Sequence, residues 1–243
     1  MDDLKVTGIV INSVDYKEND KLVTIYTLEL GIIKAQLRGV KQAKSKLKFA
    51  CQPFFVGEFF LVKKSAFYQI TTVNNIDSFF ELTANYDRYL CASVVLETIK
   101  LTQKEEIINE QLFVCVLKTI EMLCYEETVN ENMILIKYLL NFLSLNGYAL
   151  NFNKCSICGI KLTNASLNVG VGGFVCDACK DPFTHTLEKN VFSSLKIINN
   201  TDLQKLSTVK LQNSVLLKCM LLLKININSL FKVNLNSVNK MLL

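Results

Sequence analysis

The chain has 243 residues, half of them hydrophobic, and a formal net charge of +5 at pH 7. The length allows one large domain or about two to three small ones, and the hydrophobic fraction predicts a folded core. His185 is the sole histidine, so acid–base catalysis by histidine has one candidate and no partner. These properties argue against an enzyme of that class.

Charge is distributed unevenly along the sequence. The net charge is +3 over residues 1–80, −5 over residues 81–150, zero over residues 151–188 and +7 over residues 189–243. Basic ends around an acidic middle predict contact with an anionic partner at particular surfaces.

The sequence predicts no targeting or membrane segment. Residues Met1–Lys5 begin with acids and lack the apolar stretch of a signal peptide. The longest apolar run, residues 215–227, is interrupted by Lys218 and Lys224 and is too short to cross a bilayer. We therefore expect a cytoplasmic protein with reduced cysteines.

Residues 1–80 show the pattern of a small β domain. Five segments are rich in Val, Ile, Thr, Phe and Tyr, with turn signals at Glu18-Asn19-Asp20 and at Gly31. Five strands in so short a domain predict a closed barrel of the OB-fold type, with a plain β-sandwich as the alternative. The predicted strands are 5–13, 22–27, 32–38, 54–62 and 67–73.

Residues 81–243 predict a second, mainly α-helical domain, which makes the fold class α+β. Apolar residues recur at helical spacing, and Asn146-Gly147 gives a signal for a helix C-terminus. A cysteine-containing module at about 152–182 is inserted between the helices. The predicted helices are 84–101, 111–125, 132–145, 187–198 and 209–223, and the residues after 223 give no clear pattern.

Four cysteines occur as two C-x2-C pairs, Cys155 with Cys158 and Cys176 with Cys179, separated by 17 residues. This spacing is typical of a structural zinc site, in which four thiolates surround the metal and leave no position for water or substrate. The alternatives are two disulfides or reduced thiols without a metal, and disulfides fit poorly with a chain that lacks a secretory signal. We predict one structural Zn²⁺ per chain.

His185 and the other cysteines show no ligand pattern. His185 lies six residues after Cys179, where a fifth ligand is redundant, and we interpret it as a residue near a helix start. The other cysteines are expected to be small buried apolar residues; they are Cys51, Cys91, Cys115, Cys124 and Cys219.

A second candidate site is the acid-free stretch between Glu29 and Glu58. Most of its cations lie in residues 39–50, a long connection between two predicted strands, and such loops are usually functional or disordered. Clustered cations there predict phosphate binding with little sequence preference, and the alternative is a solvated loop in a lysine-rich protein. The candidate DNA-binding residues, called the basic cluster below, are Lys34, Arg38, Lys41, Lys44, Lys46 and Lys48.

Aromatic residues near the basic cluster are candidates for stacking on bases. Aromatic residues on strands more often belong to the core, which is the alternative here. The candidates are Phe49, Phe54, Phe55 and Tyr68.

The order of these features resembles the RecO family of bacterial DNA repair proteins, over nearly the whole chain. A barrel, a basic loop after an Arg-Gly-Val-Lys turn, a helical body and an inserted four-cysteine site occur in that family in the same order. The residues that carry the resemblance are Gly8-Ile9-Val10, Asp20-Lys21-Leu22-Val23, Arg38-Gly39-Val40-Lys41, Ser45, Leu47 and Gln52-Pro53-Phe54.

The resemblance implies a non-enzymatic mediator of recombinational repair in the cytoplasm, associated with the nucleoid. Family members bind single- and double-stranded DNA, anneal complementary strands, bind the C-terminal tail of single-stranded-DNA-binding protein, and act with RecR and often RecF to load RecA. Carried over by position, the loop cations from Arg38 to Lys48 would contact phosphates, and the barrel would face RecR. The lysine-rich C-terminal helices would bind the acidic tail, with Lys210, Lys218 and Lys224 as candidates.

Two other classes of function are to be weighed against the sequence. Another nucleic-acid-binding module with a zinc ribbon and an OB-fold, related to RNA or transcription, would share the barrel and the metal but would explain the helical body less well. An enzyme is disfavoured because the sequence has no Gly-rich phosphate loop and no serine–histidine arrangement.

Overall fold

The computed structural model describes residues 4–64 and 67–241, so the acidic start predicted to contain no signal peptide lies mostly outside the described residues. The chain forms two compact units that are each discontinuous in sequence. The barrel unit contains residues 4–84 and 99–120, and the helical unit contains residues 85–98 and 121–241. The sequence-based domain boundary at residue 80 stays a prediction.

The barrel unit contains a closed five-stranded barrel. Around the barrel the strand order is β1-β2-β3-β5-β4, and β4 pairs back with β1. The β3–β5 pair is parallel and the other pairs are antiparallel, which confirms the predicted OB-fold and makes the sandwich alternative wrong. The strands are β1 (Leu4–Tyr16), β2 (Asp20–Thr27), β3 (Gly31–Leu37), β4 (Val56–Lys63) and β5 (Tyr68–Asp77).

Alternating apolar side chains fill the barrel. Val23 and Ile25 on β2, and Ile33 on β3, are no more than 2% exposed and meet Phe59 and Leu61 from β4 in one core. Val23 and Ile25 lie two residues apart on β2, as do Phe59 and Leu61 on β4, because successive strand residues point to opposite faces of the sheet.

A segment after the first helix returns to the barrel at the β2–β3 turn. Gly31 has φ +67°, and a Cβ built there would lie 2.2 Å from the carbonyl oxygen of Ile107. The Glu106 N–H donates to the carbonyl oxygen of Ile32 at 3.0 Å, and the Tyr26 hydroxyl donates to the carbonyl oxygen of Asn109 at 3.2 Å. These contacts explain why residues 99–120 belong to the barrel unit.

The predicted helices are present, with one shift of bounds. They are α1 (Tyr86–Thr102), α2 (Glu110–Tyr125), α3 (Glu131–Leu145), α4 (Lys189–Asn200) and α5 (Asn213–Phe231), and a short helix that was not predicted, α6 (Ser237–Met241), follows them. Helix α5 begins at 213 rather than 209 and continues to 231 rather than 223. It continues because Ile227 is buried and the Phe231 ring packs on Phe142 of α3 and on Tyr148, at 5.3 Å from each.

Helix α3 forms the centre of the helical unit and is buried almost around its circumference. The Arg88 guanidinium of α1 binds the C-terminus of α2, where it donates to the carbonyl oxygens of Leu123, Glu126 and Val129 at 2.9–3.1 Å. Helix C-termini leave carbonyl groups without intrahelical partners, and one guanidinium satisfies several of them here.

Helix α5 is also the one described helix that is long and apolar enough to cross a membrane. The apolar run of residues 215–227 thus lies within a helix of 19 residues, which is longer than the run itself. A core helix of a folded domain passes the same test, and the side of α5 that carries Leu216, Cys219, Leu223 and Ile227 is buried inside the helical unit.

Asn226 gives a stability prediction for α5. Its side chain is fully buried, and neither its amide nitrogen nor its carbonyl oxygen has a hydrogen-bond partner among the described residues. A buried polar group without a partner costs about 1–3 kcal/mol, so Asn226→Leu should raise the free energy of unfolding by about that amount.

Urea denaturation, with an unchanged dependence of the free energy on urea, measures this change. Asn228→Leu on the same helix is the matched control, because the Asn228 side chain accepts a hydrogen bond from the Leu235 N–H at 3.1 Å. That variant should be less stable than the wild type, and a destabilised Asn226→Leu protein would contradict the prediction.

Candidate metal centre and nucleic-acid interface

The first cysteine pair forms a compact turn. The Cys155 N–H donates to the carbonyl oxygen of Ile160 at 2.8 Å, and the Gly159 N–H donates to the carbonyl oxygen of Cys155 at 3.0 Å. Gly159 closes the turn with φ +73°, a conformation that glycine adopts without steric cost. The turn therefore directs both sulfurs of the pair to one side.

The second pair follows the second strand of a small three-stranded sheet and lies next to the first pair. Its strands are β6 (Ser166–Asn168), β7 (Gly173–Val175) and β8 (Thr184–Thr186), in the order β7-β6-β8. Strand β7 leads directly into Cys176, and a short 3₁₀ turn, Asp177–Cys179, carries the second sulfur. Strand β8 pairs with β6 through Leu167 and His185.

The four sulfurs of Cys155, Cys158, Cys176 and Cys179 lie within 4.8 Å of one another. The Cys158 and Cys176 sulfurs are 3.7 Å apart, whereas a disulfide needs about 2.05 Å. A tetrahedron with zinc–sulfur bonds of 2.3 Å has edges of about 3.8 Å. All nine cysteines are free thiols, so the disulfide alternative is wrong and the four sulfurs can hold one metal ion.

Local hydrogen bonds already favour ionisation at Cys155. Burial opposes the thiolate, but backbone N–H groups including that of Cys176, 3.4 Å from the Cys155 sulfur, outweigh it and lower the pKa of Cys155 to about 6. Hydrogen bonds with the sulfurs of Cys158 and Cys176 raise the pKa of Cys179 to about 12. Thiols this close share protons, and a bound cation is what stabilises all of them as thiolates.

Three phenylalanine rings attach this cysteine module to α4. Phe152 precedes the first pair, Phe174 lies on β7 and Phe192 lies in α4, and their ring centroids are 5.0–5.8 Å apart. The Lys196 ammonium of α4 also donates to the Asn153 side chain at 3.0 Å. The metal centre is thus linked to the helical core through aromatic packing.

His185 and the other cysteines do not belong to the centre. His185 is exposed on β8, opposite Leu167, and lies four residues before the first residue of α4. Cys51, Cys91 and Cys219 are buried, as predicted, whereas Cys115 and Cys124 are only partly buried.

The basic cluster lies mainly on the connection between β3 and β4. Lys34 is on β3, and Arg38, Lys41, Lys44 and Lys46 follow it in a series of turns. Lys48 begins a 3₁₀ turn, Lys48–Cys51, whose Ala50 and Cys51 side chains enter the barrel core. The connection is therefore a folded loop anchored at both ends.

Asp20, the first residue of β2, anchors the start of this loop. Its carboxylate accepts the Gly39 N–H at 2.8 Å and the Gln36 side-chain amide at 2.6 Å. The Lys41 N–H donates to the carbonyl oxygen of Asn19 at 3.0 Å. Sequence reasoning placed Asp20 in a motif but missed this function, because only the folded barrel brings it next to Gly39.

The members of the basic cluster differ in their partners. Lys34 forms an ion pair with Glu105 at 2.5 Å, and Lys41 forms one with Asp15 at 2.9 Å. Lys48 contacts the carbonyl oxygen of Ala43 at 3.5 Å. Within residues 4–64 and 67–241, Arg38, Lys44 and Lys46 are exposed and form no ion pair.

Burial separates the aromatic candidates for base stacking. Phe54, Phe55 and Tyr68 are at most 8% exposed and belong to the core, so they cannot present a face to a base. Phe49 is 39% exposed in the loop and packs on Phe55 with centroids 5.2 Å apart. Phe49 alone of the four combines exposure with a position beside the basic cluster.

The candidates for binding an acidic tail lie at separate places in the helical unit. Lys218 forms an ion pair with Glu188 at 2.5 Å, and Lys224 donates to the Asn239 side chain. Lys210 is exposed at a cleft of about 350 Å³ that Met133 and Val209 also line. Lys210 is thus the candidate that borders a cleft with apolar walls.

The family model for the N-terminal part of recombination protein O matches residues 1–79, and the model for its C-terminal part matches residues 83–226. The chain belongs to the RecO family. A role in DNA recombination and repair follows from this membership.

Individual RecO proteins are similar over most of their length. The DNA repair protein RecO of Halalkalibacterium halodurans is 30% identical over 86% of this chain and 82% of its own. The protein of the same name from Clostridium novyi is 28% identical over 87% and 82%, and that of Clostridium perfringens is 29% identical over 86% and 85%. The resemblance based on the barrel motifs and the cysteine spacing is thereby confirmed.

Asp20 gives a prediction for the pH dependence of stability. Its backbone hydrogen bond from Gly39, together with the Gln36 amide, lowers the pKa of Asp20 below the ordinary 3.8. The stabilisation is therefore fully present above the pKa of the unfolded chain and is lost as the pH falls through the lower native pKa. Asp20→Asn should reduce the free energy of unfolding at pH 7, because an amide cannot accept both hydrogen bonds in the same way.

The difference between wild type and Asp20→Asn should stay constant near neutral pH and shrink below about pH 4. Urea denaturation at a series of pH values measures it. A difference that is as large at pH 2 as at pH 7 would mean that the Asp20 carboxylate charge does not anchor the loop.

Proposed function

We propose that this RecO-family chain is a non-enzymatic mediator of recombinational repair. It binds single- and double-stranded DNA, anneals complementary strands and helps to load RecA onto DNA coated with single-stranded-DNA-binding protein. It acts with RecR and RecF in the cytoplasm, at the nucleoid.

The observation that carries this proposal is the anchored loop with exposed cations. Arg38, Lys44 and Lys46 protrude from a loop whose start is fixed by Asp20 and whose end is fixed in the barrel core. Fixed cations lose less conformational freedom on binding than cations of a disordered loop. Their charge supports contact with phosphates in any base sequence, as a mediator requires.

Annealing needs no bond chemistry. Two complementary strands repel each other through their phosphates, and cations that neutralise those phosphates reduce the repulsion. Holding two strands close together also raises their effective concentration. The closed set of four cysteines agrees with a non-enzymatic function, since it leaves no coordination position for a substrate.

The metal at the cysteine module is proposed to be one structural Zn²⁺ per chain. Four thiolates in a tetrahedral set suit zinc, and the short strands of the module need such a link. The barrel is proposed as the surface for RecR. The tail of single-stranded-DNA-binding protein is proposed to bind at the cleft beside Lys210, because an acidic and apolar segment would find a cation and apolar walls there.

The DNA-binding proposal predicts the effect of reversing two loop charges. Lys44→Glu with Lys46→Glu should weaken binding to single-stranded DNA and reduce the salt dependence of log K by about 1.4, which corresponds to about 0.7 for each lost phosphate contact. The same variant should anneal strands coated with single-stranded-DNA-binding protein more slowly, with or without RecR. Fluorescence anisotropy and a strand-annealing assay measure the two effects.

Lys100→Glu with Lys118→Glu is the matched control, because it makes the same change of net charge at exposed helix positions in the acidic part of the sequence. The control should bind and anneal nearly as the wild type does. Equal losses of DNA binding and annealing in the two variants would show that the loop has no specific role in either. Binding without annealing in the wild type would favour a nucleic-acid module related to RNA or transcription.

The metal proposal predicts a local effect of losing one ligand. Cys158→Ser should lower the zinc content from one per chain, because three thiolates hold the metal much less well. Hydrogen exchange should then rise over residues 150–200 and stay unchanged over the barrel strands. Cys115→Ser, a cysteine outside the cluster, should retain the metal. A full zinc complement in Cys158→Ser would be incompatible with a four-cysteine site.

A further inference from the structure

We propose that two acids outside the basic loop, Asp15 and Glu105, compete with DNA phosphates for cations of the basic cluster. In the free protein Asp15 pairs with Lys41 and Glu105 pairs with Lys34. A DNA phosphate must displace each carboxylate before it can contact the lysine. The inference rests on the proposed DNA binding by the loop and adds a feature that limits its affinity.

The Asp15 contact is fixed by the backbone on both sides. Asp15 lies on β1 opposite Lys21 of β2, and Lys41 is held at the same hairpin by its N–H bond to Asn19. The Lys41 ammonium lies 2.9 Å from one carboxylate oxygen of Asp15, and the Lys21 ammonium lies 3.6 Å from the other. The Lys41 contact also keeps the pKa of Asp15 below its ordinary value, so the carboxylate is charged at neutral pH.

The Glu105 contact is positioned in a comparable way. Glu105 forms a β-bridge with Ile32 of β3, and the next residue, Glu106, donates its N–H to the Ile32 carbonyl oxygen. This places the Glu105 carboxylate beside the outward-facing Lys34 of the same strand, at 2.5 Å. Both acids are thus held by the main chain next to the cations that they pair with.

The ion pairs change what a phosphate contact contributes to binding. A phosphate that meets an unpaired lysine releases its condensed counterion. A phosphate that takes Lys41 from Asp15 also releases a counterion, but the Lys41–Asp15 ion pair must break, which opposes binding. Salt also weakens the ion pair that is broken, so binding at Lys41 is weaker and less dependent on salt than binding at an unpaired lysine.

The decisive experiment measures binding of a poly(dT) oligonucleotide at several salt concentrations. Asp15→Asn should tighten binding about two- to fivefold at low salt, as expected for removal of one surface ion pair, and this gain should shrink as the salt concentration rises. Glu105→Gln should act in the same direction. Glu18→Gln is the matched control for Asp15→Asn, since Glu18 is an exposed acid of the same hairpin that forms no ion pair within the described part of the chain.

A double-mutant cycle with Lys41→Ala separates local competition from general charge. In the Lys41→Ala background, Asp15→Asn should give no larger gain than Glu18→Gln. Equal effects of Asp15→Asn and Glu18→Gln in the wild-type background would overturn the inference while leaving DNA binding intact. Absence of binding in the wild type and in all variants would instead overturn the proposed function, and the inference with it.

Discussion

The strand order of the barrel is the constraint on which the rest of the structure depends. Because β5 lies between β3 and β4, the chain cannot join β3 to β4 by a tight hairpin and must cross the end of the barrel. Residues 38–55 make this crossing. The barrel thus requires a long connection, and most cations of the acid-free stretch lie in this connection. Asp20 fixes the start of this connection, because its carboxylate accepts the Gly39 N–H just after the end of β3.

The cysteine module meets a different constraint. Its three strands have three residues each, and so small a sheet buries little apolar surface. Two features compensate for this: the sulfur cluster, and the packed rings of Phe152, Phe174 and Phe192. Because these two features hold the inserted module, the module does not depend on a large apolar sheet of its own.

Features with a local signal could be predicted from the sequence, and features that depend on distant contacts could not. The cysteine spacing and the residue composition of strands such as β2 are local, and the structure confirms the cysteine cluster and the strand. The end of α5 was missed because it depends on packing of Phe231 against Phe142. The pairing of Lys34 with Glu105 joins residues about seventy positions apart, so no local pattern could show that one member of the basic cluster is already neutralised. The aromatic candidates show the same limit, since composition cannot distinguish the exposed Phe49 from the buried Phe55.

The return of residues 103–109 to the barrel has a consequence for how the protein can be divided. Strand β5 pairs with β3 at Ala35 and Gln36, and farther along the same strand Ile32 pairs with Glu105. The Tyr26 side chain, 1% exposed, packs on Phe113 of α2 with ring centroids 5.5 Å apart. A fragment that ends where the strands end would uncover this strand edge and this ring, and exposed edges invite pairing between chains. The smallest fragment with a complete barrel surface therefore extends into α2, to about residue 120.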